Sequence, residues 1–357
     1  MKKAEIFVGA IMAVAAGACV AETSNFDDGG STGGSTSSTS GTGGGTPSSS
    51  SIAGTGGGAA SSGAGGSMMG TSDPNGDGPY TIVELDDTVS APSGNQVAVH
   101  AAHPEDAGGG PYPVVLVGHG FSLPPSQYYS YVRRLATFGY VAMTVDFQAG
   151  FTGVDHVANA NELLAGLSWA SQHATVSGIA DVDNVGTTGH SLGGKVALLA
   201  ATLDTRVKAS ITLDPVDGGM SCSPQQCPDV SAMMPSGIPT AFIGETTDAS
   251  GGFQPCAPAA DNFDTFYQGA GVPSLRVEVL GANHMSFLDD QGSCGFTCSF
   301  CNAASVDDAT VGALSRAFVV AFYERYLKGN TAYDDHLTGA EAKARYVDTG
   351  LATIQTK

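Results

Sequence analysis

The chain is short of positive charge. Fourteen Lys and Arg stand against 34 Asp and Glu in 357 residues, a formal charge of −20. Such a field repels phosphate backbones, which excludes nucleic acid as a partner; it also disfavours anionic polymer substrates and suits solubility outside a cell. Long hydrophobic runs are missing as well. The apolar stretch Ile6 to Ala18 is too short for a typical membrane-spanning helix, which takes about 20 residues. Large apolar residues are almost absent from Glu22 to Thr71, so that tract cannot bury enough surface to offset the entropy of ordering. No internal repeat is present, which argues against a solenoid or propeller.

What is there divides into three parts. Residues 1–18 read as an export signal, with Lys2 and Lys3 ahead of the apolar run and small residues, Ala16-Gly17-Ala18, before Cys19. Small residues before a cysteine resemble the bacterial lipobox, in which the cysteine is lipidated; Ala16 stands where that motif usually has leucine. Lipidation of Cys19 and ordinary cleavage after Ala18 are both open. Residues 19–78 read as a disordered linker, whose Gly/Ser/Thr tract Glu22 to Thr71, about 50 residues, spans roughly 40 Å as a coil. Residues 79–357 carry a folded domain of a size suited to one large core.

Within that domain, strand and helix patterns alternate. Thr81 to Val89 and Gln96 to His100 read as an opening strand pair. Tyr112 to Val117, Tyr140 to Val145, Val207 to Leu213, Pro239 to Gly244 and Leu275 to Leu280 are continuous apolar runs, as expected of strands buried on both faces. Gln127 to Phe138, Asn159 to His173 and Val311 to Leu327 read as helices, and His336 lies in a polar tail. The alternation predicts an α/β fold with a mainly parallel central sheet and helices on both faces.

The most informative stretch is Gly189-His190-Ser191-Leu192-Gly193-Gly194, between a short strand at Asn184 to Thr188 and an Ala/Leu-rich helix at Lys195 to Leu203. A serine on so tight a strand-to-helix turn is a nucleophile elbow: its neighbours two before and two after must lack bulk, and its hydroxyl is lifted above the sheet edge. A serine hydroxyl needs a base. Among eight histidines, His284 alone follows a late strand directly and completes the chain order serine, acid, histidine. His119 and His190 adjoin the two turns and are expected to shape the pocket. Two acids compete to orient His284. Asp214 ends one strand, in Leu213-Asp214-Pro215-Val216-Asp217, and Asp248 follows the next. The oxyanion hole needs two N–H donors, expected from Leu192 and from Phe121 in Gly118-His119-Gly120-Phe121.

Two metal-like patterns are set aside. Asp73 to Glu84 matches the spacing of a calcium loop, but Pro79 occupies its seventh position and no helix precedes it, so a turn-rich lead-in to the domain is preferred. Cys294, Cys298 and Cys301 have the spacing of an iron–sulfur cradle, but an exported chain favours disulfides, and zinc lacks a fourth ligand. Six cysteines remain beyond Cys19: Cys222, Cys227, Cys256, Cys294, Cys298 and Cys301. A local Cys222–Cys227 bridge and a cluster among the last three are expected; the full pairing is open.

The segments YPVVLVGHGF, FGYVAMTVDF, GHSLGGK, LDPVDG, PCAPAADNFDTFY and GANHMSFLDD, from Tyr112 to Asp290, together resemble the chlorophyllase-like branch of the α/β-hydrolases, close to the bacterial cutinase and polyester-hydrolase group. The resemblance implies hydrolysis of carboxylic esters, small or polymeric, through a Ser191 acyl-enzyme, with no metal or organic cofactor. The chlorophyllase pattern places the acid in LDPVDG, hence Asp214; the cutinase-like pattern places it after the next strand, hence Asp248. The LDPVDG match favours Asp214. Leu192 stands where plant chlorophyllases usually have arginine, so chlorophyll itself is not implied. The expectation is an exported, lipid-anchored or secreted serine carboxylesterase, with a lipase or polyester hydrolase as the neighbouring reading. A non-catalytic surface binding protein is the rival, and it has no need for Ser191, His284 and Asp214 together.

Overall fold

The computed structural model describes residues 71–150, 154–218, 222–250 and 255–357. The export signal, Cys19 and nearly all of the linker lie outside them. The strands are β1 (Ile82–Ser90), β2 (Gln96–Pro104), β3 (Tyr112–Gly118), β4 (Val141–Val145), β5 (Ala180–His190), β6 (Val207–Leu213), β7 (Thr240–Glu245), β8 (Ser274–Val279) and β9 (Ala352–Thr356). They form one sheet in the order β1-β2-β4-β3-β5-β6-β7-β8-β9. The six strands from β4 to β8 are parallel, while β1, β2 and β9 close the two sides antiparallel. This is the fold class the alternation predicts.

Continuous apolar runs are explained by two cores. Val115 and Val117 of β3 pack on one face, with α1 (Tyr129–Thr137) and a long C-terminal helix. Val114 and Leu116 pack on the other, with α2 (His156–Gln172) and α3 (Leu192–Leu203). Successive side chains of a strand point to opposite faces, so a strand covered on both sides must be apolar throughout. The short α4 (Phe263–Gly269) joins the α2/α3 face through Phe263 and Phe266, and the long C-terminal helix is α5 (Asp308–Tyr326).

Boundaries differ in instructive ways. The helix expected from Gln127 begins as a 3-10 turn, Pro125–Tyr128, and becomes α1 only at Tyr129. Helix α3 starts at Leu192, immediately after the serine. The polar tail is not a tail: β9 pairs antiparallel with β8, register Val277 with Ile354. The calcium-like lead-in is a turn in which Asp73 accepts from the Asn75 N–H and pairs with Arg345, while Glu84 sits in β1 and pairs with Arg133. The disulfides are Cys222–Cys227, Cys294–Cys298 and Cys256–Cys301, so Cys301 leaves its local cluster for a partner 45 positions away.

Candidate active site

Every expected site residue with a described position lies at the carboxyl end of a parallel strand, where an open α/β sheet gathers its loops. Ser191 follows β5 with φ 57° and ψ −122°. That left-handed conformation is costly for a residue with a Cβ, and the turn holds it by hydrogen bonds: the Ser191 N–H donates to the Leu213 carbonyl, and the Ser191 carbonyl accepts from Gly194, Lys195 and Val216. A Cβ at Gly189 would strike the Gly193 backbone, and one at Gly193 would strike the Gly118 carbonyl. The elbow, the β3 turn and α3 therefore pack backbone to backbone.

The structure brings three side chains into line. Ser191 Oγ lies 2.9 Å from His284 Nε2. His284 Nδ1 lies 2.5 Å from Asp214 Oδ2. His284 opens a short 3-10 turn after β8, capped by Asn283. Asp214 follows β6 with φ 39°, and its N–H donates to the Ile243 carbonyl. A second left-handed residue thus aims the acid at the imidazole. Burial disfavours a charged His284, yet the Asp214 hydrogen bond and the carboxylates of Asp214, Glu245 and Asp248 outweigh it and raise the imidazole pKa above its ordinary value. Burial also raises the pKa of the fully enclosed Asp214, and the His284 contact opposes that rise.

Asp248 is beside the histidine but not on its ring. Asp248 Oδ2 accepts the His284 backbone N–H at 2.8 Å, and Oδ1 accepts the Asn302 N–H at 2.7 Å. The carboxylate holds the main chain of His284 while Asp214 holds its imidazole. Asn302 follows Cys301 directly, so the Cys256–Cys301 bridge adjoins this anchor.

Leu192 stands at the first position of α3, directly after Ser191, where helix N–H groups have no intrahelical acceptor. Phe121 follows β3 across from it, half-buried, with its ring packed against the α2/α3 core. His119 is buried between the Gly120 and Phe147 carbonyls, 3.1 Å from each, and stacks on Phe147. It shapes the turn and faces neither Ser191 nor His284 in any hydrogen bond among those described.

Three residues here were not legible as site residues. Glu245, at the end of β7, is buried and accepts from the Thr247 and Asp248 N–H groups. Burial and the neighbouring Asp214 raise its pKa to about 7. An acid closing an apolar run was the available signal. Lys195 is 1 % exposed, and its Nζ lies 2.9 Å from both the carboxylate and the carbonyl of Asp217. Asp217 is thus the partner that ties the Asp214 loop to α3. Tyr128 is buried beside the turn after β3, with its hydroxyl on His190.

Comparison with known proteins identifies the family. The chlorophyllase family profile matches residues 74–348. The chain is 27% identical to chlorophyllase-2 of Arabidopsis thaliana over 245 residues, covering 62% of this chain and 75% of that one. Chlorophyllase-1 of the same plant is 28% identical over 248 residues, covering 62% and 74%. Bis(hydroxyethyl) terephthalate hydrolase of Streptomyces coelicolor is 28% identical over 211 residues, covering 58% and 62%. With the family profile spanning most of the sequence, the chain belongs to the chlorophyllase family, ester hydrolases of the α/β-hydrolase fold.

Proposed function

We propose that the chain is a serine carboxylic ester hydrolase in which Ser191, His284 and Asp214 act as a triad. The observation that carries this is the continuous line from Ser191 Oγ through the His284 ring to Asp214 Oδ2, at 2.9 Å and 2.5 Å. His284 Nε2 takes the Ser191 proton as Oγ attacks the ester carbonyl. The oxygen that becomes negative is received by the N–H groups of Leu192 and Phe121. Asp214 holds Nδ1–H, which fixes the tautomer and stabilises the imidazolium. His284 then protonates the departing alkoxide, and the same nitrogen activates water to release the acid from Ser191. No step calls for a metal or organic cofactor.

The terephthalate-ester hydrolase among the relatives favours a neighbouring reading, a cutinase-type enzyme acting on polyester fragments through the same residues. Residues 79–357 form the catalytic unit in this proposal. Residues 1–18 direct export and 19–78 tether the enzyme, with Cys19 lipidated at the bacterial cell envelope or, failing that, the chain secreted.

Initial rates on p-nitrophenyl acetate, butyrate and longer esters, with bis(hydroxyethyl) terephthalate alongside, test the proposal. Folded wild type should turn over the short esters, and Ser191→Ala and His284→Ala should not. Hydrolysis that survives Ser191→Ala would overturn it, as would a folded wild type inert on every ester.

A further inference from the structure

Both turns that flank Ser191 contain a buried aromatic or imidazole group with no assigned part in the chemistry. Tyr128 closes the 3-10 turn before α1, and His190 precedes the serine; both are fully buried. The Gly120 N–H donates to Tyr128 Oη at 3.1 Å. Tyr128 Oη lies 2.8 Å from His190 Nδ1. His190 Nε2 lies 2.8 Å from the His284 carbonyl oxygen.

The protons in this chain can be placed. A carbonyl only accepts, so His190 Nε2 carries hydrogen. Burial, and then the neighbouring His284, push the His190 pKa well down, so the ring is neutral and Nδ1 is an acceptor. Tyr128 therefore donates to Nδ1, and its oxygen is free to accept from Gly120. All three bonds run in one consistent direction. One end is the peptide next to the proposed oxyanion donor Phe121, and the other is the peptide of the proposed base. Gly120 lies directly on the chain: a Cβ there would come within 3.1 Å of Tyr128 Oη and 3.2 Å of His190 Nδ1.

We propose that Tyr128 and His190 are positioning residues, a hydrogen-bonded strut that fixes the separation between the oxyanion turn at Gly120–Phe121 and His284. The inference rests on the reading of His284 as the base and Phe121 as an oxyanion donor. Asp248 grips the N–H of His284 and the strut grips its carbonyl, so the base is held at both of its peptide groups. Mispositioning by a fraction of an ångström acts on the transition state more than on substrate binding.

The test uses kcat and KM on p-nitrophenyl butyrate, referred to active sites titrated with a fluorophosphonate. Tyr128→Phe removes only the hydroxyl. His190→Asn keeps an acceptor near Nδ1 and loses the donor to His284; His190→Gln keeps a donor near Nε2 and loses the acceptor. Tyr128→Phe and His190→Asn should each lower kcat by roughly ten- to a hundredfold with KM within about twofold. His190→Gln should recover part of the loss, and Tyr128→Phe combined with His190→Gln should be no worse than Tyr128→Phe alone. The downfield proton signal of His284 Nδ1–H should shift in Tyr128→Phe although Asp214 is untouched. Folded Tyr128→Phe and His190→Asn with wild-type kcat, or with fully additive losses spread equally over kcat and KM, would overturn the strut. Ser191→Ala runs beside them: if it too keeps wild-type turnover, the hydrolase reading fails rather than the strut.

Discussion

Replacing each of the two acids by asparagine separates their parts, because they contact different atoms of one residue. Asp214 Oδ2 faces the ring at Nδ1. An amide there can turn its NH2 to Nδ1 and stabilise the tautomer with hydrogen on Nε2, which cannot accept the Ser191 proton. Loss of the correct tautomer costs about 10⁴-fold in kcat in a serine–histidine–aspartate site. Asp248 instead uses both oxygens on backbone N–H groups, His284 at 2.8 Å and Asn302 at 2.7 Å. Asparagine has one oxygen, so one of those donors is left facing an NH2. Losing one bond to a buried charged acceptor costs about 1.5–3 kcal/mol, and for a domain of this size lowers Tm by roughly 3–5 °C. The imidazole keeps its partner, so kcat falls by no more than about tenfold. Differential scanning fluorimetry and p-nitrophenyl butyrate kinetics on the two variants read both quantities. An active Asp214→Asn with an inactive, well-folded Asp248→Asn would refute the assignment and place the acid after β7.

Three further outcomes follow from the same contacts. His284 must be neutral to accept a proton and its pKa is raised, so kcat/KM should climb with pH through a midpoint above the ordinary imidazole value of about 6.5; a pH–rate profile with its midpoint below that value would contradict the carboxylate cluster. Glu245 holds its proton up to about pH 7 when folded but only to 4.5 when not. The folded state binds the extra proton in that window, so stability is lost as pH rises through it, on the order of 3 kcal/mol from this group; Glu245→Gln should flatten guanidinium midpoints between acid and neutral pH, and an unchanged slope would count against it. The Cys256–Cys301 bridge closes 45 positions of chain and adjoins Asn302. A loop of that length contributes about 4 kcal/mol, so the Cys256→Ser/Cys301→Ser pair should lose thermal stability and kcat together. Loss of stability with kcat intact would show that Asp248 needs no such anchor.

Much of the site was legible because its chemistry demands local patterns. An elbow needs glycines at two fixed offsets, and Gly189 and Gly193 have no room for a side chain. Buried parallel strands must be apolar on both faces, so Val207–Leu213 was bounded to the residue. The choice between Asp214 and Asp248 was not open to sequence reasoning from chain order alone. Each ends up within hydrogen-bond distance of His284, and only geometry separates ring from backbone. Residues whose partners are far along the chain were the ones missed. β9 is a short polar strand defined by its pairing with β8. Lys195 looks like a surface lysine until Asp217 is brought to it. Tyr128 reads as one more core aromatic of the helix expected from Gln127, and its hydroxyl has meaning only once β3, β5 and the β8 turn meet.

The central claim is that Ser191 is a nucleophile activated by His284. Labelling with a fluorophosphonate, followed by peptide mass spectrometry, tests it most directly. The account predicts one adduct per chain, on Ser191, absent in Ser191→Ala and formed far more slowly in His284→Ala. A folded wild-type protein that takes no label, or that carries it on another serine while hydrolysing esters, would contradict it.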